Sequence, residues 1–283
     1  KGVSDTYEGI PLIPESEMTE WVCRNWVDEA LIVLPQEQHF GKEYMEAFSE
    51  MGIVTHYSIM QDFADADNHQ IAEKVCGYLV LTSGMQLVSN RQYLTKRVMD
   101  IAGGIAGSLI TVILTIILGP LIYIKSPGPI FFTQKRVGKN GKLFKMYKFR
   151  TMYVQTEEEE QKGWTKKNDP RVTGVGKFLR KTSLDEFPQL FNVLKGDMSL
   201  VGPRPERPQY VEKFREEIPR YMIKHQVRPG LTGWAQVNGL RGDSSIKKRI
   251  EYDIYYIENW TIGFDIKIIL MTFFTGFINK NAY

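Results

Sequence analysis

The 283 residues predict an α/β protein in two parts joined by a membrane-length helix. Three observations carry this. A strand, a helix and a second strand follow one another near the start of the chain. Ile101–Gly119 is a run of nineteen residues without a charge. The charge also changes sign along the chain. Residues 1–95 hold 5 Lys and Arg against 15 Asp and Glu, a net of −10, whereas residues 96–283 hold 31 against 18, a net of +13. The expected division is residues 1–90, then 91–125 with the apolar helix, then 126–283.

In the front part, Ala30-Leu31-Ile32-Val33-Leu34 is a short apolar run ended by Pro35, the pattern of a buried strand. Lys42 to Met51 predicts a helix, with Tyr44, Met45 and Phe48 at helical spacing and Gly52 as its stop. Ile53 to Tyr57 is the second strand, and Gly77 to Val88 reads as a further strand and turn before a linker. Strand, helix, strand is half of a doubly wound sheet. No G-x-G-x-x-G is present, so a packing or regulatory module is the expectation here rather than a nucleotide site.

Ile101–Gly119 is close to the roughly 20 residues that cross a bilayer. Lys96-Arg97 before it expects that end on the cytoplasmic side. Gly103, Gly104, Gly107 and Ser108 give one side small residues, and Pro120 lies near the segment's end. A simple span and a helix that enters and returns both fit this pattern. A span would put residues 130–283 on the other side, so a returning helix agrees better with the phosphate chemistry read below.

Ser126-Pro127-Gly128-Pro129 is a turn, Ile130 to Gln134 a strand, Gly138 to Lys142 a tight basic turn, and Leu143 to Phe149 the returning strand. Near the end, Ile246, Ile250, Ile254 and Ile257 recur at helical spacing among Tyr252, Tyr255, Tyr256 and Trp260. Ile266 to Ile278 is apolar, with Lys267 its only charge, yet too short to span. A core helix pair and a pair lying in the headgroup layer fit equally.

A basic back half favours phosphates or anionic lipid as ligands. Nucleic acid is not expected, because an apolar segment heads the basic part and no nucleic-acid motif follows. Cys23 and Cys76 have no metal spacing and point to a reducing compartment. His225 is the sole histidine of the basic part, which excludes a His-rich zinc site there. Carboxylates must carry any metal or acid–base role. The chain opens on Lys1, so the expectation is a fragment or processed form of a longer protein.

Asp185 and Glu186 are the carboxylates that matter most. Ser183-Leu184-Asp185-Glu186 matches a capping box, with Ser at N-cap and Glu at N3. That register puts Pro188 where its missing N–H is needed. A helix opened by Pro188 and closed by Gly196 is easier, and it leaves both carboxylates just outside the helix N-terminus. There Asp185 is expected to stay ionised, and the pair suits Mg²⁺ with phosphate. A carboxylate can also attack phosphorus. Arg171 follows Asp169-Pro170, Arg204 lies between Pro203 and Pro205 with Arg207 next, Arg228 precedes Pro229-Gly230, and Arg241 precedes Gly242. Arg180 comes just before the dyad. A lone Arg is usually a surface residue, but several in rigid turns of one basic domain suit a polyphosphate.

The ordered set Lys96-Arg97-Val98-Met99-Asp100, Ser126-Pro127-Gly128-Pro129, Gln134-Lys135-Arg136-Val137-Gly138, Tyr147-Lys148-Phe149-Arg150-Thr151-Met152, Asp169-Pro170-Arg171, Ser183-Leu184-Asp185-Glu186, Gly202-Pro203-Arg204-Pro205 and Arg228-Pro229-Gly230 resembles the bacterial sugar transferase family. These are the monotopic polyprenyl-phosphate phosphoglycosyl transferases. The similarity covers about residues 94–275, and residues 1–90 resemble the tail of the Rossmann-like module of large members. The resemblance implies a partial Rossmann-like module, then a monotopic α/β catalytic domain with a re-entrant helix and interfacial amphipathic helices. It implies that Asp185 attacks the β-phosphate of a UDP-sugar, releases UMP and passes the sugar phosphate to polyprenyl (undecaprenyl) phosphate. Glu186 would bind Mg²⁺ beside it, Arg180 and Arg204 would contact phosphate, and Pro203 and Pro205 would shape the nucleotide pocket. Lys148, Arg150, Asp169 and Arg171 would support the substrate. The setting implied is the cytoplasmic face of a bacterial inner membrane, at the start of capsule, exopolysaccharide or O-antigen synthesis, with a homo-oligomer left open. One departure stands out: where the family breaks the helix with Ser-Pro, this chain has Val112-Ile113. The rival expectations are a catalytically silent, membrane-anchored nucleotide-sugar sensor or scaffold, and a phosphohydrolase using the same dyad.

Overall fold

The computed structural model describes residues 5–7, 10–32, 47–58, 70–75, 78–83, 88–154, 169–240 and 244–278. They divide into two compact units, residues 1–88 with 212–226, and residues 89–211 with 227–283.

The first unit starts with a small hairpin, β1 (Asp5–Tyr7) and β2 (Ile10–Leu12), followed by helix α1 (Glu15–Arg24). Its main sheet contains β3 (Glu29–Ile32), β4 (Val54–Ser58), β5 (Gln70–Val75) and β6 (Tyr78–Ser83), in the order β3-β4-β6-β5. β3 and β4 pair in parallel, with Leu31 opposite His56. Residues 47–50 are helical and Gly52 ends that helix at a φ of 76°, a value glycine adopts without strain. The rest of the expected helix, and Val33 to Pro35, lie outside the described residues. The sheet is mixed rather than doubly wound. β5 and β6 are separated by two residues, and a two-residue connection can only join antiparallel strands. The stretch 212–226, which a division by charge assigns to the basic part, belongs to this unit. Tyr221 is buried there between Phe214 and His225, and His225 meets Trp26 edge-on.

The second unit is organised around helix α2 (Asn90–Lys125), 36 residues long. Ser89 caps it, accepting from the Gln92 N–H while the Gln92 side chain accepts from the Ser89 N–H. The helix continues past Pro120. It is long and apolar enough to cross a membrane by length and composition. Its small residues explain what it packs on. A Cβ at Gly103, Gly104 or Gly107 would come within 2.5, 2.8 and 2.4 Å of Leu200, Leu194 and Leu190, respectively. The glycines therefore serve close packing.

After α2, strands β7 (Phe131–Val137) and β8 (Leu143–Phe149) form an antiparallel hairpin around Asn140 and Gly141, both at positive φ. Helix α3 (Gly174–Lys181), a 3₁₀ turn over Leu184–Glu186, helix α4 (Gln189–Lys195) and strand β9 (Ser199–Val201) follow. Then come helix α5 (Pro208–Glu217), whose residues from Glu212 on belong to the first unit, strand β10 (Gly230–Thr232) parallel to β9, and helices α6 (Trp234–Val237), α7 (Ile246–Glu258) and α8 (Ile262–Ile278). Two apolar clusters hold this unit. Leu118 and Ile122 of α2 pack with Phe149 and Leu179, while Phe144 and Met146 of β8 pack with Val193 and Met198.

Lys96 and Arg97 are anchors within the unit. Lys96 Nζ lies 2.6 Å from Asp265 Oδ2, and Arg97 donates to the carbonyls of Val193 and Leu194 at the end of α4. The isoleucine stripe of α7 is core, with Ile250, Ile254 and Ile257 all buried. α8 divides its faces: Ile268 and Asp265 are buried, whereas Ile266, Leu270, Phe273 and Phe274 are exposed. The outer face of α2 is exposed and apolar through Ile105, Leu109, Ile113, Ile116, Ile117 and Ile124.

Candidate active site

The carboxylate pair sits in the short turn between α3 and α4. Ser183 precedes it at a φ of 57°, in the left-handed region, and makes no side-chain cap. The capping box therefore does not form. Pro188 and Gly196 bound α4 instead, with Gly196 at a φ of 88°. Asp185 and Glu186 lie outside that helix, in a 3₁₀ turn of their own. Thr111 Oγ1, from the middle of α2, donates to the Phe187 carbonyl over 3.1 Å. The dyad is thereby fixed against the midpoint of the apolar helix.

Three elements supply cations. Lys148 of β8 places Nζ 2.7 Å from Glu186 Oε1 and 4.0 Å from Asp185 Oδ2. Arg204, between the two prolines after β9, donates to the same Glu186 oxygen over 3.0 Å. Arg180, from the last turn of α3, donates Nε–H to Thr151 Oγ1 at 2.9 Å, and its charge acts on Asp185. Thr151 is itself pinned under α3, because a Cβ on Gly176 would lie 1.9 Å from the Thr151 oxygen.

The two carboxylates are driven apart electrostatically. Burial pushes the Asp185 carboxyl above its ordinary value, with Lys148 pulling down and the charge of Glu186 pushing up. Burial also opposes ionisation of Glu186, but Lys148 and Arg204 outweigh it and hold that carboxyl far below the usual range. Sequence reasoning expected the helix end to keep Asp185 low. The opposite direction arises because Glu186 takes the direct cation contacts while Asp185 is buried beside a like charge. Such a pair suits a nucleophile or base next to a permanently charged neighbour.

The other expected residues divide. Asp169 and Arg171 form a two-oxygen ion pair, with Arg171 Nη2 2.6 Å from Oδ2, and this contact lowers the Asp169 pKa to about 2. The pair lies within electrostatic reach of Arg180. Arg150 is buried under the end of α2, where it donates to the Ser126 carbonyl and fills the space beside Gly128. The Pro203 carbonyl accepts from Gly230 N–H, and the Pro205 carbonyl from Arg136. Arg207 is half-buried and adds to the positive charge around Arg136. Arg228 stands over the ring of Tyr93 at 5.8 Å, at the start of α2. Arg241 lies outside the described residues.

Sequence reasoning quoted Arg136 and Thr151 in motifs but gave no role to them, to Asn192 or to the buried Glu206–Arg249 pair. Burial and the neighbouring charges of Arg204 and Arg207 bring Arg136 down to about 10. An alternation in β7 that puts Gln134 and Arg136 on one face was the available signal. Asn192, a poor helix former inside α4, was another.

Among the described residues there is no group of three or more His, Cys, Asp and Glu that could hold a metal ion. Two adjacent carboxylates are nevertheless a donor set for Mg²⁺, which takes one or two carboxylates and completes its shell with water and phosphate oxygens.

The architecture therefore joins a carboxylate dyad and three cations to an apolar helix of membrane length. The family model described as bacterial sugar transferase matches residues 91–279, which contain all of these parts. The chain is 44% identical over 222 residues to the UDP-glucose:undecaprenyl-phosphate glucose-1-phosphate transferase of Escherichia coli (strain K12), covering 76% of this chain and 47% of that protein. It is 36% identical to the protein of the same name from Xanthomonas campestris pv. campestris, covering 99% of this chain and 60% of that one. It is also 36% identical to the galactosyl transferase CpsE of Streptococcus agalactiae serotype III (strain NEM316), covering 94% and 61%. The chain thus spans about half to three-fifths of these relatives. With the family model matching most of its length, including the helix, the dyad and the Pro-Arg-Pro turn, this chain belongs to the bacterial sugar transferase family.

Proposed function

We propose that the protein transfers a sugar phosphate from a UDP-sugar to undecaprenyl phosphate, with residues 126–283 as the catalytic part and 1–90 as a packing or regulatory module. The observation that carries this reading is the dyad's position: a buried aspartate beside three cations, tied through Thr111 to the middle of an apolar helix. A water-soluble anion and a lipid-borne acceptor meet where such a site borders a membrane. The named activities of the relatives, on UDP-glucose and undecaprenyl phosphate, support the substrate pair. The galactosyl transferase among them leaves the sugar unspecified.

In the first step an Asp185 carboxylate oxygen bonds to the β-phosphorus, the P–O bond to the α-phosphate breaks, and UMP leaves with that electron pair. In the second, an oxygen of undecaprenyl phosphate bonds to the same phosphorus and the Asp185 oxygen leaves. Arg180 and Arg204 face the developing charge, and Lys148 holds Glu186 and Asp185 in place. Bound at Asp185 and Glu186, Mg²⁺ would supply charge neutralisation of the diphosphate.

α2 enters and leaves the membrane on one face in this reading, the cytoplasmic face of the inner membrane. Asp100 accepts from Ser199 and Leu200 near one end, and Ser126 binds Arg150 at the other. Those anchor points are about 39 Å apart along a helix, more than the roughly 30 Å hydrocarbon layer, yet both belong to one folded unit. Such a donor and acceptor would start capsule, exopolysaccharide or O-antigen synthesis.

The test is intact-protein mass spectrometry and UMP release, with UDP-glucose and UDP-galactose offered in turn. A sugar-phosphate adduct on wild type in the absence of lipid, cleared by undecaprenyl phosphate and missing from Asp185→Asn, is the expected result. UMP release by Asp185→Asn at the wild-type rate would sink the assignment.

A further inference from the structure

The Asn192 side chain is fully buried in the interior of α4. It makes three hydrogen bonds away from its own helix turn. Nδ2 donates to the Lys145 carbonyl at 2.8 Å and to Asp197 Oδ2 at 3.3 Å, while Oδ1 accepts from the Tyr147 N–H at 3.1 Å. β8 belongs to a two-stranded sheet and pairs with β7 along one edge only. Lys145 and Tyr147 present their backbone groups on the opposite edge, so the Asn192 amide stands where a third strand's peptide would pair. Lys148 is the next residue.

We propose that Asn192 is a positioning residue that sets the register between α4 and β8, and so holds Lys148 against the Asp185–Glu186 dyad. The apolar contact of Phe144 and Met146 with Val193 and Met198 presses helix and strand together, but apolar burial is non-directional and permits sliding. The amide's hydrogen bonds do not permit it. They join the element that follows the dyad to the strand that carries Lys148, whose Nζ lies 2.7 Å from Glu186 and 4.0 Å from Asp185. The backbone carbonyl of Asn192 closes the end of α4, accepting from the N–H groups of Gly196, Asp197 and Met198. A hydrocarbon of the same branching at position 192 loses these side-chain hydrogen bonds and with them the register.

This inference rests on the transferase reading. The experiment compares the full wild-type chain with Asn192→Leu and Asn192→Asp in lipid nanodiscs, using UDP-glucose or UDP-galactose with undecaprenyl phosphate and reading UMP. A misplacement of about 1 Å can lower turnover on the order of 100-fold. Asn192→Leu should therefore lower kcat by about that factor, with KM for the UDP-sugar within about threefold of wild type. Asn192→Asp keeps an acceptor for Tyr147 N–H and should fall between the two. Three results overturn the role: kcat within about threefold of wild type in Asn192→Leu, a rise in KM that accounts for the whole loss, or no folded protein from either variant. A wild type silent with both sugars condemns the transferase reading itself, and the positioning role falls with it.

Discussion

Replacing Asp185 with Asn should make the protein more stable while it stops turnover. Asp185 is 9% exposed, and burial raises its carboxyl pKa above the ordinary 3.8. A carboxyl with a raised folded-state pKa favours folding when protonated. That contribution is present at low pH and is lost as the pH rises through the raised value. At neutral pH the ionised group therefore weighs against the fold. Lys148 at 4.0 Å offers about 4 kcal/mol of attraction to a unit charge at an effective dielectric of about 20, and burial with the Glu186 charge still outweighs it. Asn has nearly the same shape and no charge. Removing a functional burden of this kind typically returns about 1–2 kcal/mol, or roughly 2–8 °C in the melting temperature of a chain this size. The assay is thermal unfolding followed by tryptophan fluorescence, in chelator so that no cation offsets the charge, at pH 7.5 and stepwise down to about pH 4. Asp185→Asn should melt above wild type at pH 7.5, and the gap should close as the pH approaches the ordinary carboxylate range. A variant that melts below wild type at pH 7.5 would show that the carboxylate stabilises the fold, contrary to the argument.

Lys148→Met should act in the opposite direction on stability. Glu186 keeps Arg204 but loses its nearer cation, for a loss of about 3 kcal/mol at neutral pH. Because the Glu186 carboxyl is held below its ordinary 4.5, its contribution exists above that value and fades as the pH falls, so the deficit should shrink in acid; a deficit constant with pH refutes the pairing. Ile116→Glu together with Ile124→Glu alters two of the most exposed side chains of α2 and should leave the melting temperature within about 1 °C. Each charge at membrane depth costs about 2.5–3.5 kcal/mol, so flotation with anionic vesicles should fall steeply; unchanged flotation places that face outside the bilayer.

Much of this arrangement was legible in the residues because each local signal had a single physical solution. Pro188 cannot donate an N–H, and Gly196 accepts a left-handed φ, so α4 had to lie between them. The capping box over Ser183–Glu186 was the competing reading, and it lost because Ser183 itself takes the left-handed conformation. Contacts between distant segments were not legible. Nothing in the spacing of Arg150 says that it ends beneath Ser126, and nothing around Arg228 says that it stands over Tyr93. Side-chain placement of that kind follows from the packing of α2, which no local pattern encodes. The antiparallel β5–β6 hairpin was available in principle, from the two-residue connection at 76–77, but it was hidden by an apolar run read as a single strand and turn.

The inward-facing side of α2 shows why the dyad needs its helix. The sequence expects Lys96 and Arg97 to mark the cytoplasmic end of the segment, and Gly103, Gly104 and Gly107 to give it a side of small residues. Both sets face inward, onto Asp265, the carbonyls of α4, and Leu190, Leu194 and Leu200. The exposed apolar side chains are then on the opposite face of α2 and on one face of α8. The side of α2 that carries the glycines also carries Thr111, which holds the carbonyl directly after the dyad. A helix that were only a tether could be exchanged for any apolar segment of equal length. This one forms a wall of the site, so bulk added at Gly107 would push against Leu190 and move the turn that carries Asp185.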